Sequence, residues 1–179
     1  MIQILVESGT GTTALFLARH LQIPYTTKCL SDGSRRAQVS VIAIPCIGSG
    51  SYLQAQMERL DEISGNHRIF PTVLPTHPED NRGNVSAAPL CPKRVFAKPY
   101  KEHLDIWRYL ESRSSIRFDL VYAPRAWEIL HHYWTTLPAS CVGDGLGGRE
   151  TDGLMYIHCG GAEGNESMLR RYRRAGLLE

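Results

Sequence analysis

A short run of glycines and hydroxyl-bearing residues near the N-terminus has the composition of a phosphate-binding loop. The run is Ser8-Gly-Thr-Gly-Thr-Thr13. Glycine lets the backbone turn sharply and come close to a ligand. Backbone N–H groups at the start of a helix, with hydroxyls beside them, suit a phosphate group. The first prediction is therefore a phosphate site formed by Ser8, Gly9, Thr10, Gly11, Thr12 and Thr13.

The residues on either side predict that this loop joins a buried strand to a helix. Before the loop, Ile2 to Val6 is mostly apolar and β-branched, as a buried strand requires. After it, the apolar residues from Ala14 to Leu21 recur with helical spacing. The predicted phosphate site therefore lies at the C-terminal end of a strand and at the N-terminus of a helix.

Three kinds of phosphate site use glycine-rich loops: the P-loop, the dinucleotide-binding loop and a site for a single phosphate monoester. A P-loop needs a lysine directly after its last glycine, and none follows here. Gly9, Gly11 and Ala14 match the dinucleotide fingerprint G-x-G-x-x-A, which also requires an acid at the end of the next strand. Asp32 precedes that strand, and the strand itself, 39–44, ends without an acid. A single phosphate monoester, such as that of pyridoxal phosphate, fits the loop, and a glycine turn that binds nothing is the alternative.

The order strand, turn, helix recurs about five times along the chain. Further strands are predicted at 39–44, 69–74, 118–122 and 154–158. This alternation predicts an α/β fold, a mainly parallel sheet with helices on both faces. Ligands of such sheets bind at the C-terminal ends of the strands. We therefore expect three segments to converge there: Ser8–Thr13, Tyr122–Ala123 and His158–Gly161.

Local patterns refine this outline. Ser51-Tyr-Leu-Gln54 resembles a capping box and predicts the start of the second helix. Pro71 predicts an edge position for the third strand. A buried helix face is predicted for Trp127, Leu130, Tyr133 and Trp134. One α/β domain is expected over residues 1–179, with flexible polar insertions at 76–94 and 135–153.

Composition excludes several functional classes. The formal net charge of +2 indicates no polyanionic partner, so no nucleic acid is expected. No apolar run approaches the roughly 20 residues of a membrane span. The five cysteines are scattered and odd in number, which favours free thiols in a reducing, intracellular compartment. They are Cys29, Cys46, Cys91, Cys141 and Cys159.

Three motifs in fixed order carry a resemblance to a known enzyme family. They are the strand with Ser-Gly-Thr-Gly-Thr-Thr, then Phe118-Asp-Leu-Val-Tyr-Ala-Pro-Arg-Ala126, then Tyr156-Ile-His-Cys-Gly-Gly161. Together they resemble the C-terminal part of the 1-aminocyclopropane-1-carboxylate deaminase / D-cysteine desulfhydrase family, over most of the chain outside the two insertions. These are pyridoxal-phosphate enzymes of the tryptophan-synthase β type. The resemblance implies part of a fold type II large domain, a small amino-acid substrate, and a homodimer in the full-length form.

The resemblance also implies roles for individual residues. The loop Ser8–Thr13 matches the segment that holds the cofactor phosphate. Tyr122 matches a tyrosine beside the substrate, where a phenol could transfer a proton or hold the carboxylate; a core aromatic is the alternative. Cys159 stands where a threonine is common, near the pyridine nitrogen. Ala123 replaces a glutamate of the deaminase subset, which counts against a cyclopropane-carboxylate substrate.

The Schiff-base lysine of the family has no counterpart in this sequence. In the family it precedes the glycine loop, and the four lysines, Lys28, Lys93, Lys98 and Lys101, match no such motif. The chain is therefore expected to be the C-terminal part of a longer lyase or deaminase and to be inactive alone. The alternatives are a Rossmann-type nucleotide-binding oxidoreductase and a non-catalytic remnant that still binds the cofactor.

Overall fold

Four strands and five α-helices are present in the computed structural model, which describes residues 2–22, 39–77, 80, 91–136 and 153–179. The strands are β1 (Ile2–Ser8), β2 (Val39–Pro45), β3 (Thr72–Val73) and β4 (Gly153–Ile157). The helices are α1 (Thr12–Gln22), α2 (Gly50–Ile63), α3 (Lys101–Arg113), α4 (Ala123–Thr136) and α5 (Asn165–Arg174).

The four strands form one parallel sheet in the order β3-β2-β1-β4. Strand β1 is central, because it pairs with β2 from Ile2 to Ser8 and with β4 from Ile2 to Val6. The turns that follow β1, β2 and β4 therefore all leave the same end of the sheet. The predicted α/β class with a mainly parallel sheet is confirmed.

Side chains of β1 alternate between two apolar layers. Ile4 and Val6 pack with residues of α1 and α2 on one face of the sheet. Leu5 packs on the opposite face with α4 residues such as Ile129 and Leu130. Each of these side chains is at least nine-tenths buried, and burying an aliphatic side chain of this size contributes roughly 1.5–3 kcal/mol. Helices thus cover both faces, as predicted, and hold β1 rigidly between them.

The strand predicted at Phe118–Tyr122 is not formed. The segment pairs with no described strand, and its backbone is bound instead by the side chain of Asn165. That amide accepts from the Leu120 N–H at 2.8 Å and donates to the Phe118 carbonyl at 2.7 Å. The apolar pattern was correct about burial, since Phe118 and Leu120 are buried. Asn165, 45 positions from Leu120, thus supplies hydrogen-bond partners to a buried segment that pairs with no described strand.

Three smaller predictions need correction. Helix α2 begins after Ser49, whose hydroxyl accepts from the Tyr52 N–H, and Ser51 is not its N-cap. The third strand is only two residues long, although it does lie at the sheet edge as Pro71 predicted. Trp134 is 41% exposed, whereas Leu130 and Tyr133 on the same helix are buried.

Much of both predicted insertions lies outside the described residues, as do Asp32, Lys28, Cys29 and Cys141. The described ends of the first insertion are packed: Thr76 and Cys91 are buried. Among the described helices, none is long and apolar enough to cross a membrane.

Candidate functional site

A cavity of about 250 Å³ opens at the C-terminal ends of β1 and β4. All eight residues predicted for the site line it, and so do two that were not predicted. The lining residues are Glu7, Ser8, Gly9, Thr10, Gly11, Thr12, Thr13, Tyr122, Cys159 and Gly160. The expected convergence of three separate segments is thus present in the structure.

The start of α1 faces this cavity. Its first helical hydrogen bond runs from the Leu15 N–H to the Gly11 carbonyl, at 2.9 Å. The amides of Thr12, Thr13 and Ala14 therefore precede the bonded amides of the helix, as at any helix N-terminus. The hydroxyls of Thr10 and Thr12 lie 3.0 Å apart, both exposed, and the first turn carries no acidic residue. This end of α1 offers N–H and O–H donors to an anion.

The two glycines of the loop have different structural roles. Gly11 has φ of +80°, and a Cβ there would lie 2.8 Å from the Met57 Sδ and 3.1 Å from the Leu53 Cδ1. Gly9 lies under Tyr122: a Cβ there would be 3.1 Å from the phenol oxygen. Gly11 thus permits the turn and the close packing of α2, whereas Gly9 makes room for the aromatic side chain over the loop.

Tyr122 brings a phenol to the wall of the cavity. Its ring packs against Phe96, with centroids 5.3 Å apart, and the side chain is half-buried. Burial first, and then the neighbouring Cys46 and Asp119, raise the pKa of the Tyr122 phenol above its ordinary value. The group is therefore protonated at neutral pH and can donate a hydrogen bond or a proton.

Cys159 presents a thiol to the same cavity. Partial enclosure and then the negative charge of Glu7 raise the pKa of this thiol, while a hydrogen bond with Thr13 lowers it. The net change is upward, so the group is a thiol at neutral pH and a weak donor. The Sγ lies 3.8 Å from the Ile157 carbonyl, to which it donates.

Three carboxylates that sequence reasoning missed fill neighbouring backbone turns. Glu7 accepts from the N–H groups of Cys159 and Gly160 after β4. Asp119 accepts from three N–H groups, at residues 121–123, where α4 begins. Asp80 accepts from two N–H groups at the start of α2, at residues 50–51. Only Asp119 had a local signal, since an aspartate shortly before a helix often bonds to the following backbone amides.

Among these four amide-rich turns, the start of α1 is different. Within the described ranges, no carboxylate bonds to its amides, although each of the other three turns is occupied by an internal anion. A helix N-terminus attracts negative charge, and an internal carboxylate satisfies that demand. Within the described ranges, the start of α1 is thus the turn of these four that holds no internal carboxylate, and it lines the cavity.

No described lysine lines the cavity. Lys93 and Lys98 are exposed, and the Lys98 Nζ lies 5.6 Å from the centre of the Tyr100 ring. Lys101 forms an exposed ion pair with Asp105 at 2.9 Å. The lysines of the described ranges thus lie elsewhere on the surface.

Glu7, Asp119 and His158 place potential metal-ligand atoms within 4.8 Å of one another. Both carboxylates already accept hydrogen bonds from backbone amides, and the His158 Nδ1 lies 3.1 Å from a Glu7 oxygen. We describe this cluster as an internal polar network that supports the cavity wall.

Comparison with known proteins adds no relative to this picture: no protein-family model matches the chain, and no curated protein matches it. The function is therefore inferred from the cavity and its donors.

Proposed function

We propose that the cavity binds the phosphate of pyridoxal 5′-phosphate, and that the chain is the cofactor-binding part of a lyase or deaminase acting on a small amino acid. The observation that carries the proposal is the open start of α1. It faces the cavity with N–H and hydroxyl donors, while three neighbouring turns are filled by Glu7, Asp80 and Asp119. The small substrate, the homodimer and the intracellular location belong to the same proposal and rest on the family resemblance.

The residues present fit this cofactor. The phosphate would be held by the amides and hydroxyls of residues 10–13, without a cationic side chain. The cavity volume of about 250 Å³ lies just below the roughly 300 Å³ at which small-molecule sites begin, so the described residues form a site of near-minimal size. When bound, this cofactor acts as an electron sink for reactions at the Cα of amino acids.

Two side chains would act beside the cofactor. Tyr122 holds a proton on its phenol at neutral pH and can donate it or bind a substrate carboxylate, because its pKa is raised. Cys159, which also lines the cavity, offers a weak thiol donor. A covalent link to the cofactor requires an amine in the cavity, and no described lysine supplies one. We therefore propose binding by this chain alone, without turnover.

A dinucleotide is the second candidate, and the strand order favours it. The order β3-β2-β1-β4 is the order of the first four strands in dinucleotide-binding folds, with the glycine loop after β1. Two features count against it. Strand β2 ends in Pro45-Cys46 without the acid that binds a ribose. The side of Gly11 that would be open to a pyrophosphate is filled by Met57.

Binding of pyridoxine 5′-phosphate tests the proposal. This analogue lacks the aldehyde and so cannot form imines with surface lysines, and pyridoxine without phosphate is the matched ligand. We expect the phosphate ester to bind at least tenfold tighter in calorimetry, a difference of about 1.4 kcal/mol. Stabilisation by NAD and not by the ester, measured as a change in Tm, would favour the dinucleotide instead.

The Thr12→Asp variant locates the binding. A carboxylate in the first turn favours the helix but repels a phosphate, so the fold should persist while affinity for the ester falls by about tenfold or more. Thr12→Asn, similar in shape and uncharged, is the control and should lose much less affinity. Gly11→Asp is less suitable, because its side chain would also clash with Met57. Equal affinities of Thr12→Asp and Thr12→Asn would refute a phosphate at α1.

A further inference from the structure

We infer that Glu7 is a positioning residue, whose carboxylate occupies an anion-binding turn formed by Cys159 and Gly160 and so holds one wall of the cavity in place. The side chain of Glu7 is completely buried. Four donors converge on it, and all four belong to β4 or to the turn after it. The geometry of the wall follows from the chain alone; the effect on a ligand rests on the proposed function.

The four donors are placed around both carboxylate oxygens. The N–H groups of Cys159 and Gly160 lie 2.8 and 3.0 Å from Oε1, and the Nδ1 of His158 lies 3.1 Å from the same oxygen. The Tyr156 hydroxyl donates to Oε2 at 2.5 Å. A buried carboxylate with several donors is stable, whereas the same group without them would be strongly unfavourable.

The register of the sheet explains why a side chain, and not a backbone carbonyl, accepts hydrogen bonds from the turn after β4. Strands β1 and β4 pair only as far as Val6 and Ile157, although β1 stays paired with β2 up to Ser8. Beyond Ile157 the amides of the turn have no carbonyl of β1 to bond. The Glu7 carboxylate supplies the missing acceptor and keeps the turn beside β1.

Close packing leaves this turn little freedom. A Cβ on Gly160 would lie 2.6 Å from the Asp119 Oδ2, so the turn lies directly against a second buried carboxylate. The Cys159 thiol donates to the Ile157 carbonyl at 3.8 Å, within the same segment. The position of Cys159 in the cavity is therefore set by the Glu7 carboxylate, which accepts from the Cys159 N–H.

The reactivity of Cys159 gives a readout that a purely structural role would not change. Glu7→Gln keeps an oxygen for the two amides but removes the negative charge that disfavours the thiolate. We expect the pH profile for alkylation of Cys159 by iodoacetamide, followed by peptide mass spectrometry, to move to lower pH. The alkylation rate at neutral pH should rise by roughly threefold, because a larger fraction of the group is thiolate. Glu166→Gln, an exposed change on α5, is the control and should leave the profile unchanged.

Stabilisation of the Glu7→Ala variant by formate tests whether a carboxylate in the turn after β4 holds that turn in place. Glu7→Ala removes the acceptor and leaves its four donors around the vacated space, which adjoins the cavity at Cys159 and Gly160 and which a formate ion can fill. We expect Glu7→Ala to lower the Tm, and formate to raise the Tm of this variant more than that of the wild type or of Glu166→Gln. If Glu7→Ala does not fold, the alkylation profile of Glu7→Gln alone decides. An unchanged alkylation profile in Glu7→Gln, or a folded Glu7→Ala that formate does not stabilise, would overturn the inference.

The same variants separate this inference from the proposed function. If wild type fails to bind pyridoxine 5′-phosphate, the proposed function is wrong, and the alkylation and formate measurements still decide the role of Glu7. If wild type binds the ester and Glu7→Gln alters neither the alkylation profile nor the affinity, Glu7 is not a positioning residue. We expect Glu7→Gln to weaken binding of the ester only slightly and Glu7→Ala to weaken it more, because only the alanine removes the acceptor of the turn.

Discussion

Substitution of Gly11 by alanine should destabilise the protein through two separate effects. The first is backbone strain, because alanine at φ of +80° costs roughly 1–2 kcal/mol. The second is overpacking: the new Cβ would lie 2.8 Å from the Met57 Sδ and 3.1 Å from the Leu53 Cδ1. Both neighbours are fully buried, and overpacking of such a core typically costs about 1–3 kcal/mol. The expected loss for Gly11→Ala is therefore about 2–5 kcal/mol.

Two other glycines separate these effects. Gly176 has φ of +67°, and a Cβ there would have no neighbour within 4 Å, so Gly176→Ala should show the strain alone, about 1–2 kcal/mol. Gly164 has neither strain nor a close neighbour, and Gly164→Ala should be neutral or stabilising by up to about 1 kcal/mol. Urea unfolding followed by circular dichroism measures all three free energies of unfolding.

The result that would refute this reasoning is a loss at Gly11 no larger than at Gly176. Such a result would mean that Met57 does not pack against the loop. Combining Gly11→Ala with Met57→Ala gives a further check. The double variant should lose less stability than the sum of the two single losses, because the smaller side chain at position 57 relieves the contact. Full additivity would contradict the packing of α2 on the glycine loop.

Three further predictions concern side chains that replace backbone partners or balance charge. Asn165→Ala should lower the free energy of unfolding by about 2–4 kcal/mol in urea titrations, because it leaves the Leu120 N–H and the Phe118 carbonyl buried without a partner. Asp80→Asn should cost about 1–2 kcal/mol by the same measurement, since a carboxylate that caps α2 is lost. Glu128→Gln should cost about 3–5 kcal/mol at pH 7, because Arg94 and Arg125 lose their shared anion. Hydrogen bonds from His103 and from these two groups hold the pKa of Glu128 at about 2, below its ordinary value of 4.5. The stability it provides is therefore complete above pH 4.5 and is lost as the pH falls to about 2, so the deficit of Glu128→Gln should shrink over that range. No loss in Asn165→Ala or Asp80→Asn, or a deficit of Glu128→Gln that does not change with pH, would contradict the respective prediction.

Local sequence was sufficient for the central part of the site. The apolar run before Ser8, the glycine turn and the helical spacing after Thr13 determined a strand, a loop and a helix in that order. These features depend on neighbours within a few positions, so composition and periodicity reveal them. The meeting of Cys159 with the loop was also predictable, because the turns that follow parallel strands share one end of the sheet. Tyr122 was correctly predicted to join them, but from a strand at 118–122 that is not formed. The roles of these residues in binding a cofactor remain predictions.

Tertiary structure decided which turns Glu7 and Asp80 fill. Glu7, Asp80 and Asp119 each fill a set of backbone amides, and for Asp80 and Glu7 those amides lie about 30 and 150 positions away. Asn165 likewise bonds to the backbone of Leu120 across 45 positions. No local pattern encodes such pairings, because a carboxylate or an amide bonds to whichever backbone groups the fold brings within reach. The sequence by itself determined the glycine loop at the start of α1; the packing of distant side chains determined which of the neighbouring turns hold an internal carboxylate.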